Sequence, residues 1–249
     1  MEKSLIDRYS PNIILKEIGG SGQNKLLQSK VLIVGAGGLG SPVISYLAAS
    51  GVGIIGISDH DVVSNSNLQR QIIYKTKDVG KSKALCAKKF AQKLNPNIKI
   101  IGIPHSISEN NAVHIVRDYD FVIDGSDNLS TRYLLNKVCY AHNKAFLIGA
   151  ISQWDGQIGL YDPNKGSPCF NCVFPNSETY NNLEGCSEGG VLGPLPGIVG
   201  SIMAAEAIKY LLDIGNSLIG SIILFDCLSS EVRKYQTKRR QNCLICDDK

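Results

Sequence analysis

The chain has 249 residues, 43% of them apolar and 19% charged, with a formal net charge of +4. That balance excludes global disorder and suffices to bury the core of one large α/β domain. The basic residues are scattered except for the run Arg233, Lys234, Lys238, Arg239 and Arg240, which argues against a nucleic-acid footprint and leaves an acidic protein partner open.

In chain order, residues 1–29 read as a polar, glycine-containing N-terminal arm in which Ile13, Ile14, Leu15 and Ile18 would pack a helical turn or two against the body. From Lys30 the pattern alternates. KVLIVG is a buried strand, Leu39 to Ser50 a helix, and VGIIGISD a second strand. Residues 80–94 follow as a helix, IKIIGI as a strand, 109–117 as a helix, YDFVID as a strand, 129–142 as a helix and AFLIGA as a strand. Continuous apolar strands separated by helices predict a Rossmann-like, mainly parallel sheet covered on both faces. After Ala150, QIGLYD, SIILFD and Val232 to Tyr235 predict an antiparallel extension, interrupted by one helix from about Gly197 to Asp213. The stretch 174–196 is rich in Asn, Gly, Pro and Glu and reads as a long functional or mobile crossover loop. One domain over 1–249 is expected. No run reaches the roughly 20 apolar residues of a membrane span, and MEKSLIDRYSPN lacks an apolar leader core. A cytoplasmic protein is the expectation.

The first strand runs into Gly35-Ala36-Gly37-Gly38-Leu39-Gly40, and Asp59 ends the next strand. Gly35 allows the tight turn, Gly37 and Gly38 let backbone approach a phosphate, Gly40 lets helix and strand pack, and the helix N-terminus offers free N–H groups to anionic oxygen. Asp59 would take ribose hydroxyls. Alone, this pattern is equally that of an NAD-dependent oxidoreductase. Asp61 and the segment Asn67-Leu68-Gln69-Arg70-Gln71, followed by Gly80-Lys81-Ser82-Lys83, shift the weight towards a triphosphate. Displacement at an α-phosphorus needs cations for the developing charge, and Arg70 and Lys83 supply them, although a lone surface Arg or Lys is more often merely solvated. Asp124-Gly-Ser-Asp127-Asn128 ends another parallel strand, where ligands bind in open α/β sheets. Its carboxylates and amide suit Mg²⁺, while Asn128 equally suits a helix cap.

Cys169-x-x-Cys172 and Cys243-x-x-Cys246 predict a closed, structural Cys₄ zinc site. Cys186 lies in the long loop among glycines and reads as a nucleophilic or sulfur-handling thiol, or as an incidental surface thiol. Cys86, Cys139 and Cys227 read as core residues, and the four histidines show no ligand spacing.

VLIVGAGGLGSP, SDHD, SNLQRQ, DVGKSK, DGSDN and GVLGPLPGIVGSIMAAEAIKYL, with the N-terminal fragments RYS and EIG, stand in an order that resembles the adenylyltransferase family of MoeB, ThiF and HesA, relatives of the ubiquitin-activating enzymes. The resemblance covers essentially the whole chain. It implies ATP on the Gly-rich turn, Asp59 at the ribose, Arg70 and Lys83 at the phosphates and Asp127 at Mg²⁺. The implied reaction is adenylation of the C-terminal Gly-Gly carboxylate of a ubiquitin-like sulfur-carrier protein, serving molybdopterin or thiamine synthesis. Activation of a tRNA-linked carboxylate is a neighbouring alternative. The resemblance further implies a homodimer and, for Cys186, the covalent link to the carrier made by ThiF-like relatives and dispensable in MoeB-like ones. With only three residues after Cys246, sulfur is expected from a separate desulfurase or rhodanese. One position departs from the family: Arg-Tyr-x-Arg-Gln reads Arg8-Tyr9-Ser10-Pro11-Asn12 here, so the arginine that reaches across the dimer interface in relatives is Pro11, with Arg8 the residue that would compensate.

Overall fold

A computed structural model describes residues 2–175 and 190–247. Strands β1 (Lys30–Val34), β2 (Ile54–Ser58), β3 (Lys99–Ile103), β4 (Phe121–Asp124) and β5 (Ala145–Ser152) pair in parallel, and β6 (Asp155–Tyr161), β7 (Ser221–Asp226) and β8 (Glu231–Gln236) add to them antiparallel. The order in this one sheet is β3-β2-β1-β4-β5-β6-β7-β8, so the expected parallel sheet with an antiparallel extension is observed.

The helices are α1 (Lys3–Ile14), α2 (Gly19–Gln28), α3 (Gly40–Ala49), α4 (Lys83–Leu94), α5 (Ala112–Val116), α6 (Leu129–Ala141), α7 (Phe170–Val173) and α8 (Pro194–Leu212). Strand side chains alternate between two faces, and each face has its own core. Val31, Ile33, Phe121, Ile123 and Leu147 pack with Val43 and Leu47 of α3, Ala87 and Ala91 of α4 and Val199 and Met203 of α8. Leu32, Val34, Val122, Phe146 and Ile148 pack with Ala112 and Val116 of α5, Leu135 and Cys139 of α6 and Phe170 of α7. Cys139 is thus a core residue, and Cys86 and Cys227 are half-buried against the first core.

The N-terminal arm is more ordered than its composition suggests, with two full helices where a turn or two was expected. Tyr9 is buried against Gly51, and its hydroxyl accepts a hydrogen bond from Asn95 Nδ2 at 2.8 Å. Pro11 lies inside α1 and has no N–H for the carbonyl of Asp7; the Ser10 hydroxyl donates to that carbonyl instead, at 3.0 Å. At the other end of the chain α8 starts at Pro194, three residues before the expected Gly197, because proline is preorganised for the first helical turn. Val191 and Leu192 are tied to the β5–β6 turn, Leu192 N–H donating to Gln153 O at 3.0 Å. Part of the expected 174–196 loop is therefore helix or sheet bridge, and Cys186 lies outside the described residues. Helix α8, with 19 residues, is long and apolar enough to cross a membrane by length and composition alone. Its buried side chains nevertheless cover the sheet, and its buried Glu206 accepts from Leu218 N–H and Lys209 Nζ.

Candidate active site

Strand β1 lies between β2 and β4, so the chain order reverses there and the carboxyl ends of three strands open onto one crevice, the place where open α/β sheets bind ligands. The turn that leaves β1 is shaped by two glycines. Gly35 has φ +89°, and a Cβ on it would stand 2.8 Å from the Gly125 carbonyl carbon; a Cβ on Gly40 would stand 2.1 Å from Gly35 O. Gly40 thus acts in packing, outside the cavity wall. The crevice is a cavity of about 490 Å³ whose walls bring together Gly35, Gly37, Gly38, Asp59, Asp61, Arg70, Lys83, Asp127 and Asn128, a size suited to a nucleotide. A Cβ on Gly37 would have only Gln71 Nε2 near it, at 3.5 Å, so a side chain there would take cavity space rather than meet backbone.

Asp59 is occupied at both oxygens, Oδ2 accepting from Ala36 N–H and Oδ1 from Asp61 N–H, each at 2.8 Å. Burial pushes its pKa up, against those two hydrogen bonds and the Lys83 charge. Segments 61–63 and 80–83 run side by side, with Lys83 N–H donating to Asp61 O at 2.9 Å and Val63 N–H to Lys81 O at 2.9 Å. That register faces Lys83 Nζ to Asp61 Oδ2 at 2.9 Å. The bond from Lys83 holds the Asp61 carboxyl below the usual carboxylate range. Lys83 is buried, so it is no solvated surface cation. Arg70 lines the cavity, half-buried, and donates to Ser66 O at 3.3 Å.

The predicted Asn67 is not in the cavity wall; its Oδ1 accepts from Ser64 N–H at 3.1 Å and caps a short 3₁₀ turn. Asn128 caps α6, accepting from Thr131 N–H at 2.8 Å, and still faces the cavity. The two carboxylates of the DGSDN turn have different environments. Asp124 is fully buried, its Oδ2 3.6 Å from Arg132 Nε, and it is not available to a cation; burial pushes its pKa up against the Arg132 charge. Asp127 is exposed on the cavity rim, and among the described residues no hydrogen bond or ion pair engages it, so of the two carboxylates in this turn it is the one open to a divalent cation. Arg132 itself was missed in the sequence, where nothing but its place one helical turn past the DGSDN turn distinguished it. It lines the cavity and donates through Nη2 to Ser126 O at 2.7 Å and Gly149 O at 3.3 Å.

Cys169, Cys172, Cys243 and Cys246 are brought together, buried and free of disulfides, with all four ligand atoms within 4.8 Å of one another. The Cys169–Cys243 and Cys169–Cys172 sulfur separations are 3.7 and 3.9 Å, close to the ~3.8 Å edge of a tetrahedron built on Zn–S bonds of about 2.3 Å, while Cys172 and Cys246 stand closer, at 3.2 Å. Burial and the neighbouring Cys172 and Cys243 push the Cys169 thiol up to about 12. At Cys243 burial acts upward, but hydrogen bonds from the Ile245 and Cys246 backbone and the adjacent thiols bring it down to about 6. Asn171 Nδ2 adds a donor to Cys243 Sγ at 3.7 Å. The residues fit a structural zinc that would pin the 243–246 knuckle to α7.

The ThiF family model matches residues 9–245. The sulfur carrier protein adenylyltransferase of Thermus thermophilus is 44% identical over 250 residues, covering 99% of this chain and 92% of that protein. The adenylyltransferase and sulfurtransferase MOCS3-1 of Zea mays is also 44% identical, over 98% of this chain, which spans only 52% of the plant protein. Among solved structures, Escherichia coli MccB crystallised with ATP superposes with a TM-score of 0.83 at 27% identity, over 96% of this chain and 73% of that one. A match over nearly all of the sequence, on a cavity built from the Gly-rich turn, Lys83, Arg70 and Asp127, makes the chain a member of the ThiF family.

Proposed function

We propose that the chain is a nucleotidyltransferase that uses ATP to adenylate the C-terminal Gly-Gly carboxylate of a ubiquitin-like sulfur-carrier protein. The observation that carries this reading is the single cavity joining the phosphate-binding turn to Lys83, Arg70, Arg132 and the open carboxylate of Asp127. A nicotinamide dinucleotide has little need of side-chain cations such as Lys83 and Arg70 at its pyrophosphate, which sits on the helix N-terminus, and the name of the near-full-length relative points to the same chemistry; neither the oxidoreductase nor the tRNA-directed alternative gains support.

A carboxylate oxygen of the carrier attacks the α-phosphorus of ATP, the bond to the α,β-bridging oxygen breaks, and pyrophosphate leaves with the electron pair. The attacking carboxylate is ionised at neutral pH, so the protein moves no proton. The Gly35–Gly40 turn presents backbone N–H groups to the phosphates, Asp59 faces the ribose, and Lys83 and Arg70 neutralise charge on the transferred and leaving phosphates. Mg²⁺ held by Asp127 would add charge neutralisation beside them. Cys186 is the candidate thiol for a covalent link to the carrier.

The assembly proposed is a cytoplasmic homodimer with a separate sulfur donor. Support for self-association is the exposed apolar side chains Ile6 and Ile14 of α1 and Leu15 at its C-terminal end. Arg8 donates to Leu94 O at 3.1 Å and does not line the cavity of its own subunit, so any contribution from it to ATP would be made in the partner. Incubation with Mg·ATP and sulfur-carrier proteins, read by mass spectrometry, tests the proposal. The expected product is a carrier heavier by AMP; no AMP on any Gly-Gly-terminated carrier refutes it.

A further inference from the structure

Tyr74 is buried and comes from the segment that carries Arg70, its N–H donating to Gln71 O at 3.2 Å. Its hydroxyl lies 2.7 Å from Ala36 O, in the Gly-rich turn, and 3.3 Å from Lys83 O. A phenol has one hydrogen to donate, and here it is shared between two backbone carbonyls from distant parts of the chain. Those contacts close a ring. Ala36 N–H donates to Asp59 Oδ2, Asp61 N–H to Asp59 Oδ1, and Lys83 Nζ to Asp61 Oδ2; Tyr74 then joins Lys83 back to Ala36. Ala36 and Lys83 are 47 positions apart and belong to elements that no strand pairing connects directly. The spacing between the turn amides and the Lys83 ammonium is therefore fixed through this ring.

We propose that Tyr74 is a positioning residue of the adenylation site, its hydroxyl clamping the phosphate-binding turn to the Lys83 segment so that both meet the same triphosphate. The proposal rests on the assignment of ATP phosphates to this cavity. Tyr74 does not line the cavity and touches no phosphate itself, and its two hydrogen bonds go to backbone carbonyls and not to Asp59, the residue assigned to the ribose, so adenosine affinity is the control.

Tyr74→Phe keeps the ring and removes the clamp. Loss of one buried neutral hydrogen bond predicts that ATP affinity falls about fivefold, with a matching rise in KM for ATP, while affinity for adenosine and KM for the carrier stay unchanged. Both ligands are measured by calorimetry on the full chain, below the unfolding temperature of the variant. Tyr74→Met fills the same buried pocket without a hydroxyl and is expected to give the same split, which keeps the test available if Tyr74→Phe folds poorly. Unchanged ATP affinity in both variants, or equal weakening of ATP and adenosine, overturns the proposal. Failure of the unaltered protein to bind ATP more tightly than adenosine would instead overturn the assignment of phosphates to the cavity.

Discussion

Replacing Arg132 by methionine keeps the aliphatic stem and removes a guanidinium whose side chain is only 13% exposed, beside an Asp124 carboxylate at 0%. Two losses follow: the carboxylate is left buried without its cation, and Ser126 O and Gly149 O lose their donor. Breaking a buried pair by removing one partner costs roughly 3 to 5 kcal/mol. The 3.6 Å separation of Nε and Oδ2, with neither atom otherwise bonded, places this pair at the lower end, about 3 kcal/mol at neutral pH. The sign of the pH dependence follows from Asp124, whose pKa is already raised by burial and rises further without Arg132. The variant's full stability is kept below the unfolded carboxylate pKa, near 4, and is lost as pH rises through the raised folded value. Urea unfolding of the original chain, Arg132→Met, Asp124→Asn and the double variant measures this. The double variant should be more stable than the sum of the singles by at least about 1 kcal/mol. Additivity within about 0.5 kcal/mol, or a deficit that does not shrink on acidification, would refute the account of a coupled pair bracing the DGSDN turn.

Lys83→Met should lower carrier-dependent exchange of pyrophosphate into ATP by about a hundredfold or more, while unfolding shifts by less than about 1 kcal/mol because Asp61 is 53% exposed and rehydrates; a tenfold loss or less would remove Lys83 from the phosphate site. Stripping zinc with a chelator should lower the unfolding temperature and expose the 237–247 tail to protease, and an unchanged cleavage pattern after verified metal removal would contradict a structural site. Gly40→Ala drives a methyl into the Gly35 carbonyl at 2.1 Å, so the turn must move and ATP binding should weaken at least tenfold; calorimetry showing intact affinity would mean that the turn is more compliant than its contacts indicate.

The parallel half of the fold was legible because β1, β2 and β4 are short apolar runs punctuated by glycine and by helix caps. The four-cysteine cluster was legible from cysteine spacing, since two C-x-x-C pairs leave few other uses. The N-terminal helices were not, because Pro11 and the Gly19, Gly20 and Gly22 cluster oppose helix locally; the tertiary burial of Tyr9 and Leu26 overrides them. Within the site, the residues of the turn motifs could be listed, but their pairings could not. Asn67, in the same motif as Arg70, is spent on a cap, and the pairing of Lys83 with Asp61 depends on the register of two loop segments 22 positions apart. Arg132 announces itself in no motif; a lone arginine in the first turn of a helix acquires meaning only when the carbonyls it serves are seen.

The Lys83–Asp61 pair also sets what the crevice will ignore. A phosphate arriving there meets an ammonium that already holds a carboxylate at 2.9 Å, so a small monovalent anion such as chloride gains little, because the charge it seeks is already balanced. Only an anion that reaches the turn amides, Arg70 and Lys83 together collects enough favourable contacts to compete with the resident carboxylate. The internal counter-anion thus works as a threshold, keeping the crevice indifferent to simple salts while leaving it responsive to a polyphosphate chain.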